Sequence, residues 1–202
     1  MSKNLDLEKH LFNSLQKYSV KLSYNIDTFF VECKKEDIQK ITKFIKNNEK
    51  CQFSQLIDIT AVDYINNNQR FELIYLFLSH KYNCRLIIKV LISENDTIES
   101  ICEIFKCANW YERECYDLFG IKFNNHPDLR RIMTDYNFEG HPLRKDFPLT
   151  GHNEVRYDEL EKKIVYENVN LAQEYRDFDY MSPWEGLENQ LIGDKKAEKK
   201  ES

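Results

Sequence analysis

The stretches LIDITAVDY, RFELIYLFLS and CRLIIKVLI run from Leu56 to Tyr64, Arg70 to Ser79 and Cys84 to Ile92, joined by the short polar links Asn66-Asn67-Asn68 and Lys81-Tyr82-Asn83. Their β-branched and aromatic residues fit a pleated, half-buried surface. Links this short join neighbouring strands only in opposite directions, because a parallel return needs a crossover of a dozen residues or more. The region therefore predicts an antiparallel meander, and a sheet at the centre of the fold.

On the N-terminal side, Leu5, Leu7, Leu11, Phe12, Leu15 and Tyr18 recur near helical spacing and predict an opening amphipathic helix. Val20 to Tyr24 and Thr28 to Cys33 read as two short strands. Ile38, Ile41, Phe44 and Ile45 mark a second helix that ends near Asn47-Asn48. On the C-terminal side, Asp96 stands three residues before Glu99, the capping-box spacing, and predicts a helix burying Ile98, Ile101, Cys102 and Phe105. Another helix, Asn109 to Phe119, should stop at Gly120, a residue suited to the left-handed turn after a helix. Residues 1–120 thus read as an α+β domain, helices packed on an antiparallel meander sheet.

Past Gly120 the character changes. Pro127, Pro142 and Pro148 fall close together with Gly140 and Gly151, so regular structure should be sparse. Leu129, Phe138, Leu143, Phe147, Val155, Ile164, Val169, Phe178 and Trp184 follow without a sustained period, as separate contacts for another surface would. Ordering backbone costs about 1 to 2 kcal/mol per residue, and an extended segment has little self-contact to offset that cost. Residues 121–190 are accordingly expected to be a long extended segment that wraps a partner. Residues 191–202, charged and from Gly193 on without an apolar side chain larger than alanine, read as a disordered tail.

Composition narrows the function. Hydrophobic residues at 42% and charged residues at 31% indicate a packed core. The apolar runs fall far short of the roughly 20 residues that cross a bilayer, and the first residues resemble neither a secretory signal nor an organelle presequence. The formal charge is −5, with the excess acid past residue 125, so the basic footprint of a nucleic-acid binder is missing. Six scattered cysteines without framework spacing fit reduced thiols.

The candidate chemistries fail on spacing. Cys102, Cys107 and Cys115 give C-x4-C-x7-C and no CxxC occurs, which argues against an iron–sulfur cluster. Cys102 and Cys107 would lie about 140° apart on a helix. His126, His141 and His152 form no HxxxH or HExxH frame, and the two His-Pro steps imply extended backbone, so these rings read as polar contacts rather than metal ligands. Glu112 and Glu114 point about 160° apart and cannot converge as an acid–base pair. Glu114 falls on the arc with Trp110, Tyr111, Cys115 and Leu118, which reads as the core side; a buried carboxylate needs a partner, so it is expected to meet Arg130 or Arg131. Arg130, Arg131, Arg144 and Lys145 alternate with Asp128, Asp135, Glu139 and Asp146, a pattern for salt bridges to a partner or to the chain itself. No glycine-rich phosphate loop is present.

One long run carries a resemblance: ERECYDLFGIKF from Glu112, HPDLRRI from His126, Thr134-Asp135-Tyr136, GHPLRKDFPLTG from Gly140, Glu154 to Asp158, and Ser182-Pro183-Trp184-Glu185-Gly186. It resembles the 30-kDa-type subunit family of NADH:quinone oxidoreductase, respiratory complex I. The resemblance implies a hydrophilic peripheral-arm subunit with no catalytic, cofactor-binding or metal residues of its own. FMN and the iron–sulfur clusters would sit in partner subunits, and the complex would pass electrons from NADH to quinone with proton translocation. The expected partners are the large quinone-site subunit and neighbouring iron–sulfur subunits. The membrane would be reached only through them, on the cytoplasmic side of a cell inner membrane or the matrix side of a mitochondrial one. Glu112, Arg113, Glu114, Asp117 and Gly120 are then expected to fix the helix, while His126, Asp128, Arg130, Arg131, Asp135, His141, Arg144, Lys145 and Asp146 dock the partner. The alternatives are the equivalent subunit of a membrane-bound hydrogenase and a stand-alone hydrolase.

Overall fold

Strict alternation along the central strands explains where the core sits. In β4 (Phe71–Ser79), Phe71, Leu73, Tyr75 and Phe77 are buried while the residues between them are only half-buried. In β5 (Cys84–Ile92), Cys84, Leu86, Ile88, Val90 and Ile92 repeat the pattern. A side-chain period of two places each set on one face, and that face is the core. The computed structural model describes residues 2–18, 20–25 and 28–173.

The chain begins with α1 (Ser2–Leu15) and a single 3-10 turn, then β1 (Lys21–Asn25) and β2 (Thr28–Cys33) pair as a hairpin. Next come α2 (Ile38–Asn47) and β3 (Gln55–Asp63), which lead into β4 and β5. Leu7, Leu11 and Leu15 of α1, at four-residue intervals, are buried in the same cluster as Ile38, Ile41 and Ile45 of α2. These helix stripes cover the apolar side of the sheet.

The meander is present, β3 antiparallel to β4 and β4 antiparallel to β5. The sheet order is β1-β2-β5-β4-β3, and β2 joins β5 in parallel. That parallel pairing links residues far apart in sequence, and so has no local signature. In β3 the register shifts between Leu56 and Asp58. The extra residue lets Leu56 share the buried face with Ile59 and Ala61, which strict alternation would forbid.

The expected helix from Asp96 does not form. Thr97–Glu99 is instead a short strand, β6, paired in parallel with β7 (Lys122–Asn124). The Asp96 carboxylate accepts the Ser93 N–H at 3.1 Å and meets Lys35 at 2.8 Å, closing the turn after β5 instead of capping a helix. Ile98, Ile101 and Phe105 are buried as the pattern required, but on a strand and a tight turn. The competing strand partner lies more than twenty residues on, outside any local window.

The helix α3 (Ala108–Phe119) is as expected and ends in Gly120, whose φ of 79° is left-handed and whose N–H bonds to the Tyr116 carbonyl at 2.8 Å. A Cβ on Gly120 would also lie 2.5 Å from Arg144 Nη2 and 2.7 Å from the His141 ring. Glycine here serves both the turn and the close approach of the following chain.

The chain divides into two compact units, residues 1–151 and residues 152–202. In the second, Asn153–Asp158 (β8) and Lys163–Asn168 (β9) form an antiparallel hairpin. The sequence reading assigns no regular structure there. Val155 stands opposite Tyr166 and Tyr157 opposite Ile164, so one face of the hairpin carries four large side chains, all exposed. The alternation is short and has no buried side to reinforce it, which is why it reads as aperiodic. Phe178, Trp184 and the charged tail lie outside the described residues, as does most of the expected extended segment beyond residue 173.

Candidate functional site

Three buried carboxylates organise the first unit: Asp117 and Asp63 hold the irregular segment from His126 to Gly151, and Glu112, like Asp117 on α3, ties that helix to the turn after β6. Asp117, fully buried, accepts the backbone N–H groups of Ile132, Met133 and Thr134 at 3.0, 2.7 and 2.9 Å. It also takes the Thr134 hydroxyl at 2.6 Å and Arg131 Nη1 at 2.8 Å. Burial alone would raise the Asp117 carboxyl, but the Thr134 hydroxyl and the successive backbone N–H groups outweigh it and hold the group well below the usual carboxylate range. Arg113 completes the grip, donating to the carbonyls of Arg130 at 3.1 Å and Arg131 at 3.0 Å.

Glu112 is buried on another side of the helix. Its carboxylate accepts the Ile101 N–H at 2.8 Å and the Cys102 thiol at 3.3 Å, tying α3 to the turn after β6. Burial pushes the Glu112 carboxyl upward, opposed by the donors of Ser100, Ile101 and Cys102.

The third carboxylate is Asp63, at the end of β3. Arg70 donates to both its oxygens, at 2.8 and 2.9 Å, and reaches Asp146 at 2.8 Å; the Lys145 N–H adds a bond to Asp63 at 2.7 Å. The Arg70 guanidinium holds the Asp63 carboxyl below its ordinary value, and the Asp146 carboxyl likewise. Nearby, Arg144 donates to the Phe119 carbonyl at 2.6 Å and to Glu94 at 2.7 Å. Arg70 and Arg144 also both lie over the Phe71 ring, at 5.2 and 5.3 Å.

The residues expected to dock a partner are therefore spread over two roles. His126, Arg131, His141, Arg144 and Asp146 make contacts inside this chain. His141 Nδ1 donates to the Asp117 carbonyl at 2.8 Å, and burial lowers the pKa of that ring. Arg130 and Asp128 pair with each other at 2.8 Å while more than half exposed. Asp135 lines a surface cavity of about 400 Å³ together with Trp110, Arg113, Arg130, Arg131 and Tyr136. Lys145 contributes its backbone N–H to Asp63.

Glu114 departs from expectation. It is half-buried beside Asp58, and burial followed by that like charge raises its carboxyl. Arg131 goes to Asp117 and Arg130 to Asp128, so among the described residues Glu114 takes no arginine. The buried side of α3 carries Glu112, Cys115 and Phe119, while Trp110, expected on the core side, is 69% exposed.

Sequence reading missed Asp63, Arg70 and Glu94. A usable signal existed: Asp63 continues the odd-numbered set of Ile59 and Ala61 toward the core, and a carboxylate at such a position demands a buried cation.

Beyond these clamps the segment turns large side chains outward. Met133, Tyr136 and Leu149 are 62%, 87% and 83% exposed, although Met133 gives its backbone N–H to Asp117.

Residues 31–153 match the family model described as respiratory-chain NADH dehydrogenase, 30 Kd subunit. The chain belongs to this family. The match runs from β2 to the start of β8 and so takes in α3, the three buried carboxylates and the segment that Asp117 and Asp63 hold. A protein of Chelativorans sp. (strain BNC1), named as a subunit of NADH-quinone oxidoreductase, is 53% identical over 176 residues, 87% of each chain. One of the same name from Parvibaculum lavamentivorans is 46% identical over 193 residues, 96% of each. Among solved structures, a chain of the membrane-bound sulfane sulfur reductase, an archaeal respiratory membrane complex, is similar with a TM-score of 0.60 at 21% identity, covering 70% of this chain and 85% of that one. That likeness is one of fold. None of the helices among the described residues is long and apolar enough to cross a membrane.

Proposed function

We propose that this chain is a non-catalytic subunit of the peripheral arm of a proton-pumping NADH:quinone oxidoreductase, without flavin or iron–sulfur cluster of its own. It scaffolds the quinone-reducing module. Partner subunits carry electrons from NADH through FMN and iron–sulfur clusters to quinone, coupled to proton translocation. Its neighbours are the large quinone-site subunit and adjacent iron–sulfur subunits, and it meets the membrane through them, on the cytoplasmic side of a cell inner membrane or its mitochondrial counterpart.

The observation that carries this reading is a segment fixed by buried polar groups that nevertheless exposes Met133, Tyr136 and Leu149, with Trp110 of α3 exposed as well. Ordering a loop so thoroughly while leaving its large side chains in water makes sense for a surface that another protein covers. Relatives named as NADH-quinone oxidoreductase subunits favour this role over that of a hydrogenase subunit.

The test is co-purification. A full chain carrying Trp110→Ala, Met133→Ser and Tyr136→Ser removes exposed apolar area and leaves every clamp intact. It should fold with unchanged circular dichroism yet recover at least about tenfold less of the other subunits, since aromatic residues at the centre of an interface dominate its energy. Full recovery of the complex by the triple variant would refute the docking role.

A further inference from the structure

The sequence sets Cys102, Glu112 and His126 far apart, and no local spacing pattern joins them. The fold brings them together. Cys102 leaves the turn after β6, Glu112 points from α3, and His126 follows β7, so that one potential ligand atom from each lies within 4.8 Å of the others. Cys102 Sγ is 3.3 Å from Glu112 Oε2, and His126 Nε2 is 3.9 Å from the same oxygen. The Glu112 and His126 side chains are fully buried, while Cys102 is partly exposed.

We propose that Cys102, Glu112 and His126 form a binding site for one divalent ion of the zinc class. A thiolate, an imidazole nitrogen and a carboxylate oxygen are the donor set zinc prefers, and three protein ligands leave a position for water on the half-exposed Cys102 side. Separations of 3.3 and 3.9 Å are close to those between ligands of one tetrahedral zinc, whose bonds run from about 2.0 to 2.3 Å. Supporting contacts are in place: the Ile101 N–H orients Glu112 through its other oxygen.

Two groups must adjust. The thiol, pushed up to about 12 by burial in the metal-free protein, loses its proton to solvent as the cation takes its place. His126 Nδ1 accepts the Asp128 N–H at 3.1 Å, so the ring carries its proton on Nε2, toward the Asn109 carbonyl at 3.1 Å. Coordination through Nε2 moves that proton to Nδ1 and gives up both the Asn109 and the Asp128 hydrogen bonds. Two hydrogen bonds are a small loss against the affinity of such donor sets for zinc. The ion would be structural, joining the β6 turn, α3 and the start of the clamped segment.

The test uses the full chain, stripped of metal under reducing conditions and titrated with Co²⁺ as a coloured probe. One Co²⁺ per chain should bind with a thiolate-to-cobalt charge-transfer band and tetrahedral visible absorption, and stoichiometric Zn²⁺ should abolish both. Cys102→Ser should weaken binding about 100-fold or more and remove the charge-transfer band, whereas Cys107→Ser, at an exposed neighbour, should change nothing. No binding, or a band that survives Cys102→Ser, would overturn the site and leave the trio a hydrogen-bonded core cluster. If Cys102→Ser does not fold, zinc-edge X-ray absorption on the unaltered chain decides. A shell with one sulfur near 2.3 Å, about the usual zinc–thiolate distance, supports the site, and a shell of nitrogen and oxygen alone overturns it.

Discussion

Asp117 concentrates more structural work than any other side chain described, because five donors converge on one buried carboxylate. Asp117→Ala strands three backbone N–H groups and Arg131, so a loss on the order of 3 to 5 kcal/mol in urea denaturation is expected. Its folded-state pKa is lowered, so the stability it contributes is present above the unfolded carboxylate value of about 3.9 and is lost as pH falls from there through the folded value. The stability gap between the unaltered chain and Asp117→Asn should therefore stay constant from neutral pH down to about pH 4 and narrow below it. Tyr75 offers the opposite case: its buried hydroxyl has no hydrogen-bond partner among the described residues. Tyr75→Phe removes an unsatisfied polar atom without changing the packing, so a stability equal to the parent or higher by about 1 kcal/mol is the expected thermal-unfolding result. At this scale the sequence is legible in kind but not in place. Its pattern predicts a buried α3 carboxylate paired with an arginine from the returning chain. It points to Glu114 because Trp110 reads as core-facing, and the roles fall instead to Glu112 and Asp117.

Among the elements, those with a local signature are readable: α1, α2, the short strands β1 and β2, the β3–β4–β5 meander and α3 with its glycine stop. Those whose partners lie far off are not. The parallel pairings of β2 with β5 and of β6 with β7 depend on tertiary approach, and the second replaces an expected helix. The hairpin of β8 and β9 escapes for a different reason, since neither of its faces is buried deeply enough to impose a clear alternation. The α3 terminus makes a direct prediction. Gly120→Ala places a Cβ at positive φ and against the His141 ring, and should cost about 1 to 3 kcal/mol, measured by denaturation. For the hairpin, Val155→Thr with Ile164→Thr keeps β-branched residues in both strands but removes apolar surface from the exposed face. The pair should leave folding unchanged while lowering the yield of co-purified subunits.

For the whole molecule, the two-sided use of α3 is the organising feature. One side ties the helix to the sheet and to the β6 turn through Cys115 and Glu112; another holds the segment after Gly120 through Arg113 and Asp117. The result is a segment held by buried polar groups that displays large apolar side chains, in a chain whose family is described by a respiratory-chain subunit. Hydroxyl-radical footprinting tests that claim most directly, because Trp110, Met133 and Tyr136 carry readily oxidised side chains. Compared between the lone chain and the assembled complex, all three should react quickly in the first and be strongly protected in the second. Equal oxidation in both states would contradict the account.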